Sequence, residues 1–533
     1  MVLNTKHKKF AKILPAMLII IILSISCVCF ASAAVVESTV TENTVIEETL
    51  DDNATIEQVP DEDATISDFK LNPNYNNLLD NKTSSFSTLD SITVSSDENI
   101  DSIYLIFWDK TPNFTLLCGG KSYDIKNSFL HAFVEIPDEV TECHEVTITF
   151  SEKANLSDVS IFKKGKLPDN IQVWNQPHEK ADLLLCATQY SNEHTLFAGI
   201  IPFHIANNYR VQVAFFTNTK SSTKYHEMLD GLWAVGLKNY PALSEFPESD
   251  KKNAEDALKE LEKETITEDK LLSFQTELLR RFKPQVLVSH DLNGENGSGQ
   301  SILNVQTLIK AIDLAKVPSN YPESALRYGA WDTPKVYFHL YSENQVTLNW
   351  DEPLDFYNGK TAFQVSQEGY KANESQQKTW FTKWLNGKDG NNTTAAGIET
   401  YSPCLFGLYR TTVGVDSQNI GFFENIISYD EQYRIEQEKL AQDRLQQALL
   451  EQEEQKKQEE ESKRIESQRL ESLKEESRKD AFEKANLEIQ KQQALENQKS
   501  EKSVAVVAII ICIASVIALA IVLFNKIREY FYF

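Results

Sequence analysis

Apolar and polar residues follow four different patterns along this chain. Between residues 79 and 168, short alternating segments are separated by turn signals, which predicts an antiparallel β-sandwich. Between residues 175 and 427, short apolar runs alternate with helix-like segments, which predicts a doubly wound parallel sheet of the Rossmann type. Residues 429–502 contain no Gly or Pro and predict one long helical stalk. Residues 503–524 form an apolar run long enough for one transmembrane helix, so we expect an α/β protein with these three additions.

The N-terminal residues resemble a targeting segment. Residues 1–33 contain four lysines, then an apolar run over 13–30, then the small residues Ala31-Ser32-Ala33. This order predicts a secretory signal peptide, and an uncleaved membrane anchor is the alternative. Residues 34–78 are acidic and show no sustained periodicity, so we expect a flexible spacer there.

The stalk allows two interpretations. Its apolar positions are too irregular for a regular heptad, so it forms either a weak coiled-coil homodimer or a solitary helix held by Glu–Lys pairs. We favour the homodimer, because the apolar positions form a loose stripe. Lys526 and Arg528 follow the apolar run, and the positive-inside rule then places residues 525–533 in the cytoplasm. We therefore expect a single-pass protein of the cell membrane with most of its chain extracellular.

The composition and net charge of the chain indicate which kinds of molecule it is not expected to bind. The chain has 533 residues, enough for two or three domains, and its hydrophobic content of 41% suits globular folding. A formal net charge of -25 argues against nucleic acid and anionic membrane surfaces as partners, since both would repel the protein.

Cysteine usage is sparse. Of the seven cysteines, Cys118, Cys143, Cys186 and Cys404 lie between the leader and the distal apolar run. Cys118 and Cys143 are a possible bridge, but isolated buried thiols are the favoured interpretation. The sequence contains no C-x-x-C zinc pattern.

Aromatic residues in the first predicted domain have two possible roles. They supply a hydrophobic core or form a platform on which a sugar stacks, and we favour the core because aromatic side chains dominate buried area. These residues are Phe107, Trp108, Phe114, Phe129 and Phe133.

Two polar turns follow predicted strands in the second domain. Apolar runs over 183–188, 211–218 and 285–290 predict three of its strands. The first leads into the turn 189–193, and the last leads into Asp291-Leu292-Asn293-Gly294-Glu295. Ligands of open α/β sheets bind at the carboxyl ends of strands, so we expect both turns to lie at the same functional edge.

The first turn resembles a family motif. Thr188, Glu193, Gly199 and Pro202 match the pattern T-H-[PS]-D-D-E-x-x-x-x-x-G-x-x-P of the PIG-L (LmbE-like) zinc de-N-acetylases. The segment H-E-M-L-D-G-L-W over 226–233 resembles a further block of that family, and residues 79–168 are similar to the discoidin-like module that often precedes it.

The resemblance assigns chemistry to positions that this chain has changed. It places zinc ligands at Gln189 and Asn192, where the family has His and Asp, and the general base at Ser191, where the family has Asp. The second family motif, N-G-E-Y-G-H-[GP]-x-H, corresponds to residues 293–301. Its two histidines, one stabilising the reacting amide and one binding zinc, are replaced by Ser298 and Ser301.

These replacements predict a pseudoenzyme without a zinc cofactor. Catalytic zinc takes about three ligands from His, Cys and carboxylate, and amides and hydroxyls replace them poorly. We expect a non-catalytic binding or adhesion module for a glycan or a cell-surface protein. The alternative is a zinc-dependent N-acetylglucosaminyl deacetylase with a relocated site. Candidate pocket residues are Glu193, His194, Lys224, His290, Asp291 and Glu295, although local hydrogen bonding is the simpler role for the histidines.

Overall fold

The computed structural model describes residues 62–126, 128–496, 514–524 and 526. The described residues divide into two compact units, one ending at Val173 and the other beginning at Trp174. The predicted signal peptide, residues 1–33, lies outside the described residues.

The first unit is a seven-stranded antiparallel sheet. The long strand β7 pairs with β2, β3 and β4, so it joins all parts of the sheet. Its strands are β1 (Phe69–Asn72), β2 (Ser87–Ser96), β3 (Ser102–Phe107), β4 (Phe114–Cys118), β5 (Lys121–Ile125), β6 (His131–Glu135) and β7 (Glu145–Phe162).

The predicted spacer is partly wrong. Residues 34–61 lie outside the described residues, but the chain is ordered into the first sheet from residue 62 onward. Asp63 and Thr65 form bridges with Lys166 and Phe162, and β1 pairs with β2. The reason is burial: Ala64 and Ile66 are both 1% exposed or less, which an acidic composition did not indicate.

The aromatic residues of this unit divide between core and surface. Phe107 and Phe114 are buried and contact each other and Phe150, with ring centroids 5.8–6.1 Å apart. Trp108 is half-buried and stacks on Phe86 at 5.4 Å. The core interpretation therefore describes Phe107 and Phe114, but not Trp108.

The preference for isolated thiols at Cys118 and Cys143 is also wrong, because the two form a disulfide. The end of β4 and the loop before β7 bring their Cα atoms within 6.2 Å. Cys186 and Cys404 are free and buried.

Removing this disulfide is expected to destabilise the first unit. The bridge closes a loop between residues 25 apart, and a cross-link of that size contributes about 3 kcal/mol by restricting the unfolded chain. Urea unfolding of Cys118→Ser/Cys143→Ser should show this loss relative to the oxidised wild type. The reduced wild type should match the variant, and equal stability of all three forms would contradict the prediction.

The second unit contains another seven-stranded sheet and a separate two-stranded sheet. Its strands are β8 (Leu183–Ala187), β9 (Val211–Phe215), β10 (Ala242–Leu243), β11 (Val286–Ser289), β12 (Lys335–His339), β13 (Gln345–Thr347), β14 (Pro353–Leu354), β15 (Lys360–Thr361) and β16 (Leu405–Thr411). Its helices are α1 (Ile200–Ala206), α2 (Ser222–Ala234), α3 (Ala254–Lys263), α4 (Glu268–Phe282), α5 (Gly299–Ala315), α6 (Pro322–Tyr328), α7 (Ala362–Ala372), α8 (Trp380–Asn386) and α9 (Tyr429–Glu496).

Five strands of the larger sheet are parallel, in the spatial order β10, β9, β8, β11, β12. Two further strands make the sheet mixed, since β16 is antiparallel to β12 and β13 is antiparallel to β16. The prediction of a wholly parallel sheet is therefore wrong. The physical reason is the connection between β12 and β16. It leaves β12 at His339 and enters β16 at Leu405 on the same side of the sheet, so β16 runs in the opposite direction to β12.

A continuous apolar core joins the sheet to two helices. Strand residues Leu184, Leu287 and Val336 are fully buried in a cluster that also contains apolar residues of α4 and α5. The strands are therefore covered by helices, as their uninterrupted apolar sequences require.

The predicted stalk is observed as the single helix α9, whose 68 residues extend about 100 Å. Its first residue is attached to the sheet: the Tyr429 N–H donates to Asp182 Oδ1 (2.6 Å) and its hydroxyl donates to the Lys283 carbonyl (2.6 Å). Residues 497–502 of the predicted stalk lie outside the described residues. Pairing with a second copy stays a prediction.

The predicted transmembrane helix over 503–524 is not supported. Among the residues that the structure describes, no helix has the length and apolar character to cross a membrane. Residues 503–513 of that segment lie outside the described residues. The predicted single-pass location in the cell membrane and the cytoplasmic tail 525–533 depended on this helix and are overturned with it.

Candidate functional site

The two motif turns meet at the point where the strand order reverses. β8 and β11 are neighbours, but the chain leaves β8 toward β9 and leaves β11 toward β12. Open α/β sheets bind ligands in the crevice at such a point. Thr188 follows β8 and His290 follows β11, and the Thr188 N–H donates to His290 Nε2 at 2.9 Å.

The first turn is shaped by local backbone geometry. Ser191 adopts a left-handed conformation (φ 77°) and is followed by a short 3₁₀ helix over Asn192–His194. Asn192 Oδ1 accepts from the Gln189 N–H at 2.9 Å, so the side chain closes its own turn. Gly199 ends the turn at φ 94°, where a Cβ would lie 2.3 Å from the Trp350 ring.

The three positions that the resemblance assigns to zinc hold neutral side chains. Gln189 is half-buried, while Asn192 and Ser301 are 8% and 5% exposed. Ser298 caps α5 by accepting from the Ser301 N–H at 3.3 Å. Because amide and hydroxyl oxygens are weak zinc ligands, this donor set does not fit a catalytic zinc ion.

Within the described ranges, no group of three or more His, Cys, Asp or Glu side chains is placed to hold a metal ion. No reaction step through zinc is therefore derived for this chain.

A buried polar cluster lies at the carboxyl ends of β11 and β12. Glu295 Oε2 receives the Nδ1–H of His290 at 2.7 Å, and Glu295 Oε1 contacts Nδ1 of His339 at 2.7 Å. The Asp291 N–H also donates to Glu295 Oε1, at 3.0 Å. His290, Glu295 and His339 are all 1% exposed or less, and we call these three residues the buried His–Glu–His cluster.

The hydrogen bonds assign protons within this cluster. His290 Nε2 accepts from a backbone N–H, so its proton is on Nδ1. His339 Nε2 lies 2.8 Å from the Ser402 carbonyl, which only accepts, and its Nδ1 faces the Glu295 carboxylate. Both ring nitrogens of His339 therefore face oxygen atoms within hydrogen-bonding distance, which fixes the orientation of the ring.

The pKa of Glu295 lies below its ordinary value. Burial raises the pKa of this carboxyl, but the neighbouring His290 and His339 outweigh burial and hold its pKa below the ordinary value. Since both ring nitrogens of each histidine are engaged, the cluster offers no free general base. His290 and Glu295 were predicted as pocket residues. Their hydrogen bonds connect the residues that follow β8 and β11 with His339 at the end of β12.

Glu193 and His194 are also buried rather than exposed to a pocket. Burial raises the pKa of Glu193 to about 8 and lowers that of His194 to about 3. The 3.4 Å contact between Glu193 Oε1 and His194 Nε2 is therefore a contact of neutral groups near pH 7 and not an ion pair. A Cβ at Gly231 or Gly369 would lie 2.7 Å from the His194 ring, so this ring fills a slot between α2 and α7.

The other two predicted pocket residues are nearer the surface. Asp291 is half-buried, and its Oδ1 accepts from the Asn293 N–H at 2.7 Å. Lys224 lies in the first turn of α2 and pairs with Glu248 at 3.2 Å. The structure therefore brings His290, Asp291 and Glu295 together but places Lys224 with a different set of residues.

A polar cavity of about 540 Å³ lies at the ends of β9 and β10. Asn218 accepts the Tyr190 hydroxyl hydrogen at 2.8 Å, which connects this cavity to the first motif turn. The lining contains amide, hydroxyl, ammonium and carboxylate groups: Asn218, Thr219, Lys220, Ser221, Pro247, Glu248, Ser249, Glu260, Leu261 and Glu264.

Sequence reasoning missed His339. His339 is not among the predicted site residues, yet it ends β12, and β12 is paired in register with β11 so that Ser289 is opposite Phe338. A histidine at the carboxyl end of a strand was the available signal. That β12 neighbours β11 required the structure.

Comparisons with known proteins leave the family as a prediction. Neither a family model nor a curated protein matches the chain. Among solved structures, it is similar to the conserved protein TT1542 from Thermus thermophilus, with 14% identity, a TM-score of 0.29 and coverage of 44% of this chain and 97% of that one. It is also similar to N,N'-diacetylchitobiose deacetylase from Pyrococcus horikoshii, with 11% identity, a TM-score of 0.28 and coverage of 41% and 83%.

A third match concerns a smaller part of the chain. CpGH89CBM32-6 produced by Clostridium perfringens is 19% identical, with a TM-score of 0.16 and coverage of 19% of this chain and 96% of that one. At these identities and TM-scores, none of the three similarities carries an argument about this protein.

Proposed function

We propose that the second unit is a PIG-L-like pseudoenzyme that binds a glycan without deacetylating it. The observation that carries this proposal is the engagement of Asn192, His290 and His339 in hydrogen bonds at the strand-order reversal. Asn192 Oδ1 accepts from Gln189, and both nitrogens of His290 and of His339 are used within the fold. A positioned general base typically contributes 10²–10⁴-fold to a rate, and no free group of this set supplies one.

The polar cavity supports the binding part of the proposal. Its volume of about 540 Å³ lies within the usual range of ligand pockets. Asn218 and Thr219 supply neutral polar groups, while Lys220 and Glu248 supply charged donors and acceptors. Such a mixture suits the many hydroxyl and amide groups of an N-acetylated sugar chain.

Chitohexaose, a neutral chain of N-acetylglucosamine, tests both parts of the proposal. We expect purified full-length protein to contain no stoichiometric zinc by elemental analysis, to release no acetate and to bind chitohexaose in calorimetry. Thr219 is a half-buried residue of the cavity lining, and Thr219→Trp should abolish that binding because the indole ring would fill the cavity. Thr412→Trp, at an exposed position outside the cavity lining, should leave binding unchanged. Stoichiometric zinc with chelator-sensitive acetate release would contradict the loss of catalysis and favour the deacetylase alternative. Absence of chitohexaose binding would contradict the glycan-binding part.

A further inference from the structure

Tyr190 lies in the first motif turn and extends toward the polar cavity. The PIG-L pattern has Pro or Ser at this position, so the phenol ring is a difference of this chain. The ring is 7% exposed. It packs edge-on against Phe215 of β9, with ring centroids 4.9 Å apart, and lies parallel to the ring of Tyr225 of α2 at 6.2 Å. Because rings of two elements hold it, the Tyr190 hydroxyl has a fixed position.

The hydrogen bonds of this hydroxyl have a defined direction. Burial raises the pKa of Tyr190 above its ordinary value, so the hydroxyl keeps its hydrogen at neutral pH. The phenol oxygen accepts from the backbone of Thr219, and the hydroxyl donates to Asn218 Oδ1 at 2.8 Å. The Tyr190 hydroxyl therefore fixes which atom of the Asn218 carboxamide faces the motif turn.

Asn218 is left with its amine for the cavity. Its Oδ1 is engaged by Tyr190, and no described residue supplies an acceptor to its Nδ2 amine. The residue is half-buried in the cavity lining, and its backbone N–H donates to the Phe246 carbonyl at 2.6 Å. Both the backbone and the side chain of Asn218 are therefore held, and its side chain offers the cavity donors but no acceptor.

We propose that Tyr190 is a positioning residue that makes the cavity selective for the acetamido group of a sugar, an inference that rests on the proposed function. The carbonyl oxygen of an acetamido group only accepts, which matches the Nδ2 amine of Asn218. A sugar hydroxyl at the same place would need an acceptor for its own hydrogen, and Asn218 Oδ1 is already used. Without Tyr190, the carboxamide would turn either end toward the ligand and would lose rotamer freedom on binding.

Calorimetry of the full chain with chitohexaose and cellohexaose tests the proposal, because these neutral chains differ in having an acetamido group or a hydroxyl on each ring. We expect the wild type to bind chitohexaose about tenfold more tightly than cellohexaose. Tyr190→Phe keeps the ring but loses the hydrogen bond, so it should lower the affinity for chitohexaose about 3- to 10-fold and that for cellohexaose less. Asn218→Asp should reverse the preference, because its carboxylate still accepts from Tyr190 but offers the ligand no N–H.

Tyr357→Phe is the matched control. The Tyr357 hydroxyl donates to the Val235 carbonyl at 2.7 Å, outside the cavity lining, so its loss should leave both affinities unchanged. Equal losses for the two sugars in Tyr190→Phe would indicate a purely structural role and overturn the proposal. An unchanged preference in Asn218→Asp, or equal binding of the two sugars by the wild type, would also overturn it while leaving glycan binding intact. Failure of the wild type to bind either sugar would contradict the proposed function as well.

Discussion

Replacing Glu295 with glutamine is expected to lower the free energy of unfolding of the second unit by about 2 to 3 kcal/mol. The carboxylate accepts from His290, from His339 and from the Asp291 N–H. A carboxamide has only one accepting oxygen, so its NH₂ group would face a donor, and one buried N–H of the cluster would be left without an acceptor. Urea unfolding followed by tryptophan fluorescence measures the loss, since all tryptophans of the chain except Trp108 belong to this unit.

An exposed glutamate provides the control for this measurement. Glu399→Gln removes a carboxylate from the surface and should change the free energy of unfolding by less than about 0.5 kcal/mol. A loss below about 1 kcal/mol in Glu295→Gln would show that the cluster contributes little.

The pH dependence of stability follows from the sign of the pKa shift. Glu295 has a lowered pKa in the folded state, so its contribution is present above the unfolded value of about 4.3 and is lost as pH falls from there through the folded pKa. The wild type should therefore lose more stability than Glu295→Gln as the pH is lowered below about 4.3. Parallel pH profiles of the two proteins would contradict the lowered pKa.

Restoring the ligands that the family resemblance assigns is expected to create a zinc site. The variant Gln189→His/Asn192→Asp/Ser301→His supplies two imidazoles and one carboxylate at the edge where the two motif turns meet. Aspartate at residue 192 still accepts from the Gln189 backbone position, so the turn keeps its hydrogen bond. We expect this variant to bind zinc at least 100-fold more tightly than the wild type, measured by calorimetry and by elemental analysis after dialysis.

The single variant Asn192→Asp is the matched control for the restored site. It adds the same charge but only one ligand, and should remain close to the wild type in zinc affinity. Saturating zinc should raise the melting temperature of the triple variant alone, because a ligand that binds only the folded state stabilises it. A folded triple variant that binds zinc no better than Asn192→Asp would show that these positions do not converge as the resemblance implies.

Several strands were predictable because their apolar runs are short and bounded by polar residues. The runs over 183–188, 211–218 and 285–290 appear as Leu183–Ala187, Val211–Phe215 and Val286–Ser289. The long stalk was equally predictable, since a stretch of 68 residues without Gly or Pro has little to interrupt a helix. Local composition carries this information, so no knowledge of tertiary contacts was needed.

Other predictions failed where a non-local contact decides. The disulfide of Cys118 depends on a loop that returns to β4, and the order of residues 62–78 depends on pairing with strands far along the chain. Spacing and composition alone contain none of these partners.

The sequence by itself determined which chemical groups are absent at the motif positions: Gln189, Asn192 and Ser301 bring no imidazole or carboxylate, whatever the fold. Only the tertiary structure decided what the remaining polar groups do. The neighbouring positions of β8, β11 and β12 bring Thr188 to His290 across 102 residues and Glu295 to His339 across 44. Hydrogen bonds of about 3 Å then engage these groups within the fold, whereas the side chains of Glu193 and His194 are buried in the first turn without a hydrogen-bond partner.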